Sequence, residues 1–300
     1  MAGYVSLTSQ RALDITLPEL EEQREIGRIV GALDDKIELN RRMGATLEGM
    51  ARALYRSWFV DFDPVRARME GRAPAHMAPA TAALFPDRLD EDGLPEGWEM
   101  GTIGDVAGIV GGSTPSTKQD QFWGGKHFWA TPRDLSRQGR SLLFETERRL
   151  TDVGLAKISS GLNPAGSVLL SSRAPIGYVA IAEVPLAVNQ GFIVLRQTDQ
   201  MSAAEAFCWL HENMEAIKGN ANGSTFQEIS KKNFRPLPCI VAPEGVRASF
   251  SSLVGPLLSR MKVALREADT LAAVRNALLP RLMSGELRVP EAEETVAAAF

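Results

Sequence analysis

The most constraining feature of this sequence is a stripe of apolar residues that recurs every three or four positions and occurs twice. The first stripe consists of Ile26, Val30, Leu33, Ile37, Leu47, Leu54 and Trp58. A shift of 224 residues moves it onto a second stripe, which consists of Phe250, Val254, Leu257, Met261, Leu271, Leu278 and Leu282. Such spacing is typical of a long helix with one apolar face. Each helix reaches roughly 60 Å and therefore needs a partner of similar length.

The two stripes indicate an internal repeat of about 45 residues, with chance similarity between two amphipathic helices as the alternative. Asn40 and Gly44 interrupt the first stripe at core positions. A buried asparagine can fix the register of a coiled coil, or Asn40 can face solvent after a small shift of phase. Pro256 and Pro280 are predicted to kink or restart the second helix, because proline removes a backbone donor.

The region between the stripes has two parts. Residues 63–93 are rich in Pro, Ala and Gly and are predicted to form a linker, with at most a short helical turn near 79–85. Short apolar runs at 167–171, 178–182 and 192–195 predict strands. One helix is predicted over 202–218. The pattern indicates an α+β domain inserted between two helical arms.

Composition limits where a nucleic-acid site can lie. The chain carries 33 Lys+Arg against 37 Asp+Glu and has a net charge of −4. Residues 1–94 carry 12 basic and 16 acidic side chains, whereas residues 95–240 carry 14 of each. Any such site must be local to the inserted domain. With two cysteines, no signal-like start and no apolar run of about 18 residues, we expect a cytoplasmic protein.

The sequence matches none of the catalytic motifs that its residues suggest. Asp63-Pro64-Val65-Arg66 lacks the second proline and the aromatic residue of an amino-methyltransferase tetrad, and no glycine-rich nucleotide loop is visible. The acidic cluster at 87–92 has no following lysine for a metal-dependent nuclease. Cys208 and Cys239 have no Cys-x-x-Cys partners, and the three histidines are scattered. The sequence therefore predicts a chain without catalytic residues or a metal site.

Binding chemistry remains. Residues 111–133 interleave hydroxyl, amide, basic and aromatic side chains with glycine, a mixture that suits contacts to phosphates and base edges. Asn189-Gln190-Gly191 and the segment 223–227 add polar turns. Asn and Gln make bidentate contacts to adenine, but they also cap turns. Basic clusters are equally typical of solvated surface, and Trp123 and Trp129 are core residues or stacking groups.

At this level of detail the sequence closely resembles type I restriction-modification specificity (S) subunits. Their central helical region is similar to LPELEEQREI at 17–26, LDDKIELN at 33–40 and ALYRSWFVDFDPV at 53–65. Their target-recognition domain is similar to LPEGW at 94–98, GSTP at 112–115, WGG at 123–125, SRAPIG at 172–177, NQGF at 189–192 and GSTF at 223–226. The resemblance continues through LLPRLMSGEL at 278–287.

The resemblance implies one mixed α/β target-recognition domain between two long helices that pair as an antiparallel coiled coil. The implied segments are a remnant-like N-terminal segment at 1–16, the first spacer helix at 17–62, the linker at 63–93, the target-recognition domain at 94–240, the second spacer helix at 241–288 and a disordered acidic and alanine-rich tail at 289–300. The usual family chain has two recognition domains. This one has the order helix, domain, helix, as in a natural half-subunit or part of a split or truncated gene.

The implied function is non-catalytic recognition of double-stranded DNA, in which the chain reads one half-site of a bipartite target. The implied partners are methyltransferase (M) subunits that use S-adenosylmethionine, restriction (R) subunits that use ATP and Mg, and a second copy or another half-subunit. The alternatives are a coiled-coil scaffold that binds no DNA and a fused enzyme with an unrecognised site.

Candidate site residues follow from the matched loops. For DNA contacts we predict Thr114, Ser116, Lys118, Lys126, Arg133, Arg173, Asn189, Gln190, Ser224, Thr225, Lys231 and Lys232. The lysines are expected to anchor phosphates, and Arg173 and Gln190 are candidates for base readout. For the spacer interface we predict the seven residues of the first stripe together with Phe250, Leu257, Met261, Leu271 and Leu278.

Overall fold

The computed structural model describes residues 6–12, 17–223 and 227–299. It divides into two compact units, Met1–Leu47 with Ser259–Phe300, and Glu48–Leu258. The α-helices of the described residues are α1 (Leu7–Arg11), α2 (Leu20–Phe59), α3 (Asp63–Met69), α4 (Pro79–Ala82), α5 (Ile103–Val106), α6 (Pro132–Gln138), α7 (Asp152–Leu155), α8 (Ala203–Glu212), α9 (Met214–Gly219), α10 (Lys231–Phe234), α11 (Glu244–Met283) and α12 (Val289–Ala299). A single 3₁₀ turn covers Asp120–Phe122.

The two long helices confirm the prediction from the stripes. Both α2 and α11 are 40 residues long, and Leu20 and Phe59 lie 224 positions before Glu244 and Met283. The same offset relates two one-turn helices. The Ser6 hydroxyl caps α1 by accepting a hydrogen bond from the Ser9 amide, and Ser230 caps α10 by accepting one from Asn233. The offset therefore extends beyond the helical stripes, which favours a true repeat over chance similarity.

In the first unit, α2 and α11 run antiparallel. Lys36 Nζ lies 3.4 Å from Glu267 Oε1, and Arg275 pairs with Asp34, so positions advance along one helix as they recede along the other. The predicted interface residues Ile26, Leu33, Ile37, Met261, Leu271 and Leu278 are buried, and Val30 is partly buried. Leu47 is also partly buried. The apolar stripe therefore forms the core of this unit.

The prediction of a disordered tail at 289–300 is wrong, because the structure forms α12 there. Ala292 is fully buried, and Val289 and Val296 pack against the same core. These three positions are separated by steps of three and four, so they form one apolar face. Ion pairs join Glu293 to Arg28 and Arg288 to Glu22. The acidic and alanine-rich composition hid a short amphipathic helix.

Asn40 is buried rather than turned to solvent. Its exposed fraction is 0%, and neither the oxygen nor the nitrogen of its amide has a hydrogen-bond partner among the described residues. One turn later, a Cβ on Gly44 would lie 3.2 Å from Leu265 Cδ2, so the helices approach closely at this point. The structure thus has an unsatisfied polar group beside a close crossing in the spacer.

Replacing Asn40 with leucine is expected to raise the free energy of unfolding of the spacer by about 1–3 kcal/mol. Leucine has the same branching as asparagine but no polar atoms to desolvate. Urea unfolding followed by circular dichroism at 222 nm measures the change. Asn276→Leu is the control, because Asn276 is exposed on α11. A destabilised Asn40→Leu variant would show that the amide has a partner that stabilises the pair.

Pro256 and Pro280 were predicted to kink or restart the second helix. The restart is wrong, because α11 is continuous from Glu244 to Met283, and the kink stays a prediction. Both prolines are exposed, as are Ser252 and Asn276 four residues earlier. The carbonyl groups that lose an N–H partner therefore face water, which lowers the cost of proline inside a helix.

The second unit contains ten strands among its described residues. They are β1 (Glu99–Thr102), β2 (Gly108–Val110), β3 (Trp123–Ala130), β4 (Leu142–Leu143), β5 (Arg148–Leu150), β6 (Val168–Ser172), β7 (Ile176–Ala182), β8 (Leu186–Val188), β9 (Phe192–Arg196) and β10 (Pro238–Val241). The three apolar runs predicted as strands correspond to β6, β7 and β9. The predicted α+β fold is confirmed.

The strands form three sheets. A five-stranded sheet has the order β2-β9-β6-β7-β4, and a three-stranded sheet has the order β5-β3-β8. Pairing is antiparallel except between β4 and β7 and between β3 and β8. The entry strand β1 and the exit strand β10 pair antiparallel as a separate two-stranded sheet, with Glu99 opposite Val241. The chain therefore enters and leaves the sheet region at one place.

The helix predicted over 202–218 is two helices. Helix α8 packs on β6, β7 and β9 and ends at Asn213, where the Asn213 side-chain amide donates to the Trp209 carbonyl at 3.0 Å. This bond occupies a carbonyl of the last turn, and α9 starts directly afterwards.

The segment at 63–93 is packed, although its composition predicted a linker. Helix α3 forms at Asp63–Met69, with Pro64 in its first turn and Val65 fully buried. Helix α4 agrees with the predicted helical turn. Arg68 Nη1 donates to the Ala82 carbonyl at 3.0 Å, and Phe85 lies edge-on to Trp58 at 5.0 Å. A few buried side chains anchor a proline-rich segment whose composition alone predicts flexibility.

An aromatic cluster anchors the helices in the second unit. Phe250 is fully buried, with ring centroids 5.8 Å from Tyr55, 5.9 Å from Trp58 and 5.1 Å from Phe59. The predicted interface residues Trp58 and Phe250 are therefore core residues, and Leu54 and Leu257 are partly buried. The cluster holds the C-terminal end of α2 against the N-terminal part of α11.

Candidate nucleic-acid interface

Two of the predicted loops are in direct contact. The Ser113 amide donates to the Val188 carbonyl at 3.1 Å, and the Thr114 hydroxyl lies 2.6 Å from Gln190 Oε1. A Cβ on Gly112 would lie 1.8 Å from the Val188 carbonyl oxygen, so only glycine fits at this approach. The sequence predicted both loops, and the structure joins them although they are separated by about 75 residues.

The start of α6 adjoins the same turn. The Asn189 amide donates to the Ala130 carbonyl at 3.0 Å, and a Cβ on Gly191 would lie 3.0 Å from the Pro132 ring. This places the exposed Arg133 close to the turn. Asn189 Oδ1 accepts from the Gly191 amide at 2.9 Å. This oxygen therefore shapes the turn, as the alternative role for Asn189 predicted.

Arg173 lies in a third loop next to Gly191. The Ser172 amide donates to the Gly191 carbonyl at 2.8 Å, and Arg173 Nη1 lies 3.6 Å from Glu228 Oε2. The buried Ser171 hydroxyl accepts from the amides of Gly177 and Tyr178, which fixes the following turn. Arg173 thus lies next to the 189–191 turn, and its charge is paired with that of Glu228.

Lys231 completes the group. Its Nζ would lie 3.2 Å from a Cβ on Gly111, so the first turn of α10 reaches the loop that carries Thr114. Lys232 follows it in the same short helix. We call this group the loop surface, and it comprises 111–114, 131–133, 172–173, 189–191 and 231–232. Ser224 and Thr225 lie outside the described residues.

Lys126 is engaged elsewhere. Its Nζ lies 3.2 Å from Asp152 Oδ1, and His127 Nε2 lies 2.7 Å from the same oxygen. These two groups, His127 foremost, hold the pKa of the Asp152 carboxyl below its usual value. Both Lys126 and Asp152 are largely exposed, so this pair is a solvated surface feature. Lys126 stays a prediction for DNA contact, and it is a weaker one than Lys231.

The predicted cationic side chains differ in whether they already form an ion pair. Across residues 6–12, 17–223 and 227–299, no ion pair is formed by Lys118, Arg133, Lys231 or Lys232, all of which are exposed. Ser116 and Lys118 lie in the turn after Pro115, where the Ser116 carbonyl accepts from Trp123 Nε1 at 3.1 Å. Unpaired surface cations are free to replace the counterions of a phosphate backbone.

Sequence reasoning missed Arg148. Its guanidinium carbon lies 3.4 Å from the centroid of the Trp123 ring and 5.6 Å from that of Trp129. The basic cluster at 126–157 and the two tryptophans were both visible in the sequence. Their contact depends on strand register, which the sequence pattern did not supply.

The described residues include two cysteines, Cys208 and Cys239, and several His, Asp and Glu side chains. They contain no group of three His, Cys, Asp or Glu side chains that could hold a metal ion. Burial raises the pKa of the Cys208 and Cys239 thiols to about 12, so both stay protonated at neutral pH and neither is an activated nucleophile. The loop surface can donate and accept hydrogen bonds and can attract anions.

The structure thus contains a sheet domain with polar loops and a separate unit built from two long paired helices. Residues 95–243 match the family model described as type I restriction modification DNA specificity domain. The chain belongs to this family, and the curated relatives that it matches are named as specificity subunits of type I restriction enzymes. No helix of the described ranges is long and apolar enough to cross a membrane.

Two curated relatives illustrate the similarity. The specificity subunit of the type I restriction enzyme HindI from Haemophilus influenzae is 28% identical over 94% of this chain and 71% of its own length. The MjaIX specificity subunit from Methanocaldococcus jannaschii is 40% identical over 45% of this chain and 32% of its own.

One solved structure supports the fold. The chain aligns with the type I restriction-modification S subunit from M. genitalium with a TM-score of 0.56 and 14% identity, covering 88% of this chain and 61% of that one. The chain thus spans less than two thirds of that solved S subunit.

Proposed function

We propose that this specificity subunit reads one half-site of a bipartite DNA target through the loop surface. The observation that carries the proposal is the contact between the 111–114 loop and the 189–191 turn, because it joins hydroxyl, amide and cationic groups on one surface. In this proposal, Lys231 and Lys232 of the loop surface anchor phosphates, together with Lys118 in the neighbouring turn. Thr114, Gln190 and Arg173 face the base edges.

The long helices serve as spacer and docking surface in this proposal. Methyltransferase subunits dock on them and supply S-adenosylmethionine, and restriction subunits supply ATP and Mg. The printed names of the curated relatives support this role, because those relatives are subunits of type I restriction enzymes. A second copy of the chain, or another half-subunit, reads the other half-site.

Single-molecule methylation sequencing of cells that express the chain with its methyltransferase subunit tests the proposal. We expect a bipartite motif, with inverted half-sites if two copies of this chain assemble. An asymmetric motif would exclude the homodimer. Absence of any motif in the presence of an assembled complex would overturn DNA recognition. A chain that ends at Pro238 lacks α11 and is expected to lose assembly even where its sheets fold.

Lys231→Ala is expected to lower the slope of log affinity against log salt concentration by about 0.9, because one phosphate contact releases about one counterion. All sequences should be weakened alike. Filter binding at several salt concentrations measures the slope. Lys36→Ala is the control, because Lys36 lies on α2 and is paired with Glu267. An unchanged slope for Lys231→Ala would remove Lys231 from the interface.

A further inference from the structure

A guanidinium group lies over the face of an indole ring beside the loop that carries Thr114. Arg148 and Trp129 are opposite residues in the antiparallel pair β5 and β3, so their side chains share one face. Trp123 and Trp129 meet edge to face, with centroids 4.9 Å apart. The guanidinium of Arg148 covers the Trp123 ring at 3.4 Å.

A bulge in β3 builds this arrangement. Trp123 and His127 both align with Leu150 of β5, so the residues between them leave the regular ladder. Gly124 has φ of +78°, and a Cβ on Gly125 would lie 2.4 Å from the Leu150 carbonyl oxygen. Only glycine is compatible with both positions. The two glycines therefore allow Trp123 to lie beside Trp129 and beneath Arg148.

The two indoles also fix the neighbouring loop. Trp129 Nε1 donates to the Ser113 carbonyl at 3.2 Å, and Trp123 Nε1 donates to the Ser116 carbonyl at 3.1 Å. Each ring thus binds the loop at its edge, while Arg148 rests on the face of one ring. Arg148 therefore lies next to the segment that contains Thr114, Ser116 and Lys118.

The guanidinium has donors but no acceptor. None of its N–H groups is hydrogen-bonded to a residue that the structure describes, although the side chain is partly buried. Arg196 makes a useful comparison, because its guanidinium donates to Asn163 Oδ1 and to the Ser160 carbonyl. A partly buried cation without acceptors is costly, and a ligand with acceptor atoms removes that cost.

We infer that Arg148 is a specificity-determining residue that donates two parallel hydrogen bonds to the O6 and N7 atoms of a guanine in the recognised DNA. This inference rests on the proposed function. Exposed lysines suit phosphates, because a phosphate contact needs charge more than direction. The Trp123 ring restricts where the Arg148 guanidinium can lie. A guanidinium held in one place can present two N–H groups to the paired acceptors of a guanine edge.

The test is selection from a random-sequence duplex library by the full chain assembled with its methyltransferase subunit. We expect the wild-type motif to contain a guanine whose selection is lost in both Arg148→Lys and Arg148→Ala. Affinity for the wild-type motif should fall roughly 5-fold to 150-fold in each variant. Lysine keeps the positive charge but lacks the two parallel N–H donors of arginine. If Arg148→Lys no longer selects the guanine, the contact is therefore base readout and not attraction to a phosphate.

Arg149→Ala is the matched control. Arg149 is the next residue of the same strand, points to the opposite face and also covers an aromatic ring, with its guanidinium 4.4 Å from the Phe128 centroid. Its motif should be unchanged. Thermal unfolding of each variant verifies the fold, and the lysine variant keeps the aliphatic chain over the ring.

The outcomes separate the two proposals. A wild-type complex that selects no motif contradicts DNA recognition itself, and the inference fails with it. A wild-type motif that Arg148→Lys retains at full affinity shows a charge contact to phosphate and overturns guanine readout alone. An equal change of motif in Arg149→Ala also overturns it.

Discussion

Gly112→Ala is expected to reduce binding of the recognised DNA to the non-specific level, a loss of about 10³-fold or more. The new methyl group would lie 1.8 Å from the Val188 carbonyl oxygen and 2.5 Å from its carbonyl carbon. Neither atom can yield without moving β8, so the 111–114 loop must leave its place. Thr114 then loses Gln190, and the two loops no longer form one surface. Filter binding to duplex DNA that carries the motif identified by methylation sequencing measures the loss.

Gly49→Ala controls for the substitution itself. Gly49 lies inside α2 with nothing within 4 Å of a Cβ, so alanine should stabilise the helix by about 0.5–1 kcal/mol. DNA binding should be unchanged. If Gly112→Ala bound the motif as well as Gly49→Ala does, the close approach of the two loops would have no part in recognition.

Phe250→Ala is expected to lower the free energy of unfolding of the second unit by about 3–5 kcal/mol. The side chain is fully buried and contacts the rings of Tyr55, Trp58 and Phe59, so its removal leaves a cavity at the junction of the two helices. Urea unfolding monitored by tryptophan fluorescence reports the change, because Trp58 lies in the cluster.

Leu253→Ala is the matched control for Phe250→Ala. It lies one turn further along α11 and is 47% exposed, so the expected change is within about 0.5 kcal/mol. A similar loss in both variants would indicate that helix propensity, not the aromatic cluster, sets the stability of this region.

Periodicity predicted the helices because it is a local property of the chain. Ile26, Leu33 and Ile37 repeat at helical spacing whatever they pack against, and all three are buried. The matched loops predicted that Thr114 and Gln190 belong to the site. Their 2.6 Å contact depends on the pairing of β3 with β8, which no local pattern encodes.

The features that the sequence did not predict also depend on non-local packing. The ion pair between Lys126 and Asp152 was likewise not visible in the sequence, because it depends on the turn at α7. The contact of Arg148 with Trp123 depends on the bulge in β3, which the sequence pattern does not encode. The tail at 289–300 was judged by composition, although Val289, Ala292 and Val296 already had helical spacing. Composition describes what a segment contains and not what it packs against.

The pairing of β1 with β10 brings the first and last strands of the sheet domain together. Glu99 lies opposite Val241 and Thr102 opposite Pro238, so the two ends of the domain are neighbours. An exchange of residues 99–241 for those of another family member would have to match this short ladder and a few contacts with the long helices, such as Glu212 with Arg56 and Ser141 with Glu48. Under the proposed function, such an exchange would change the DNA sequence that is read while leaving most of α2 and α11 unchanged.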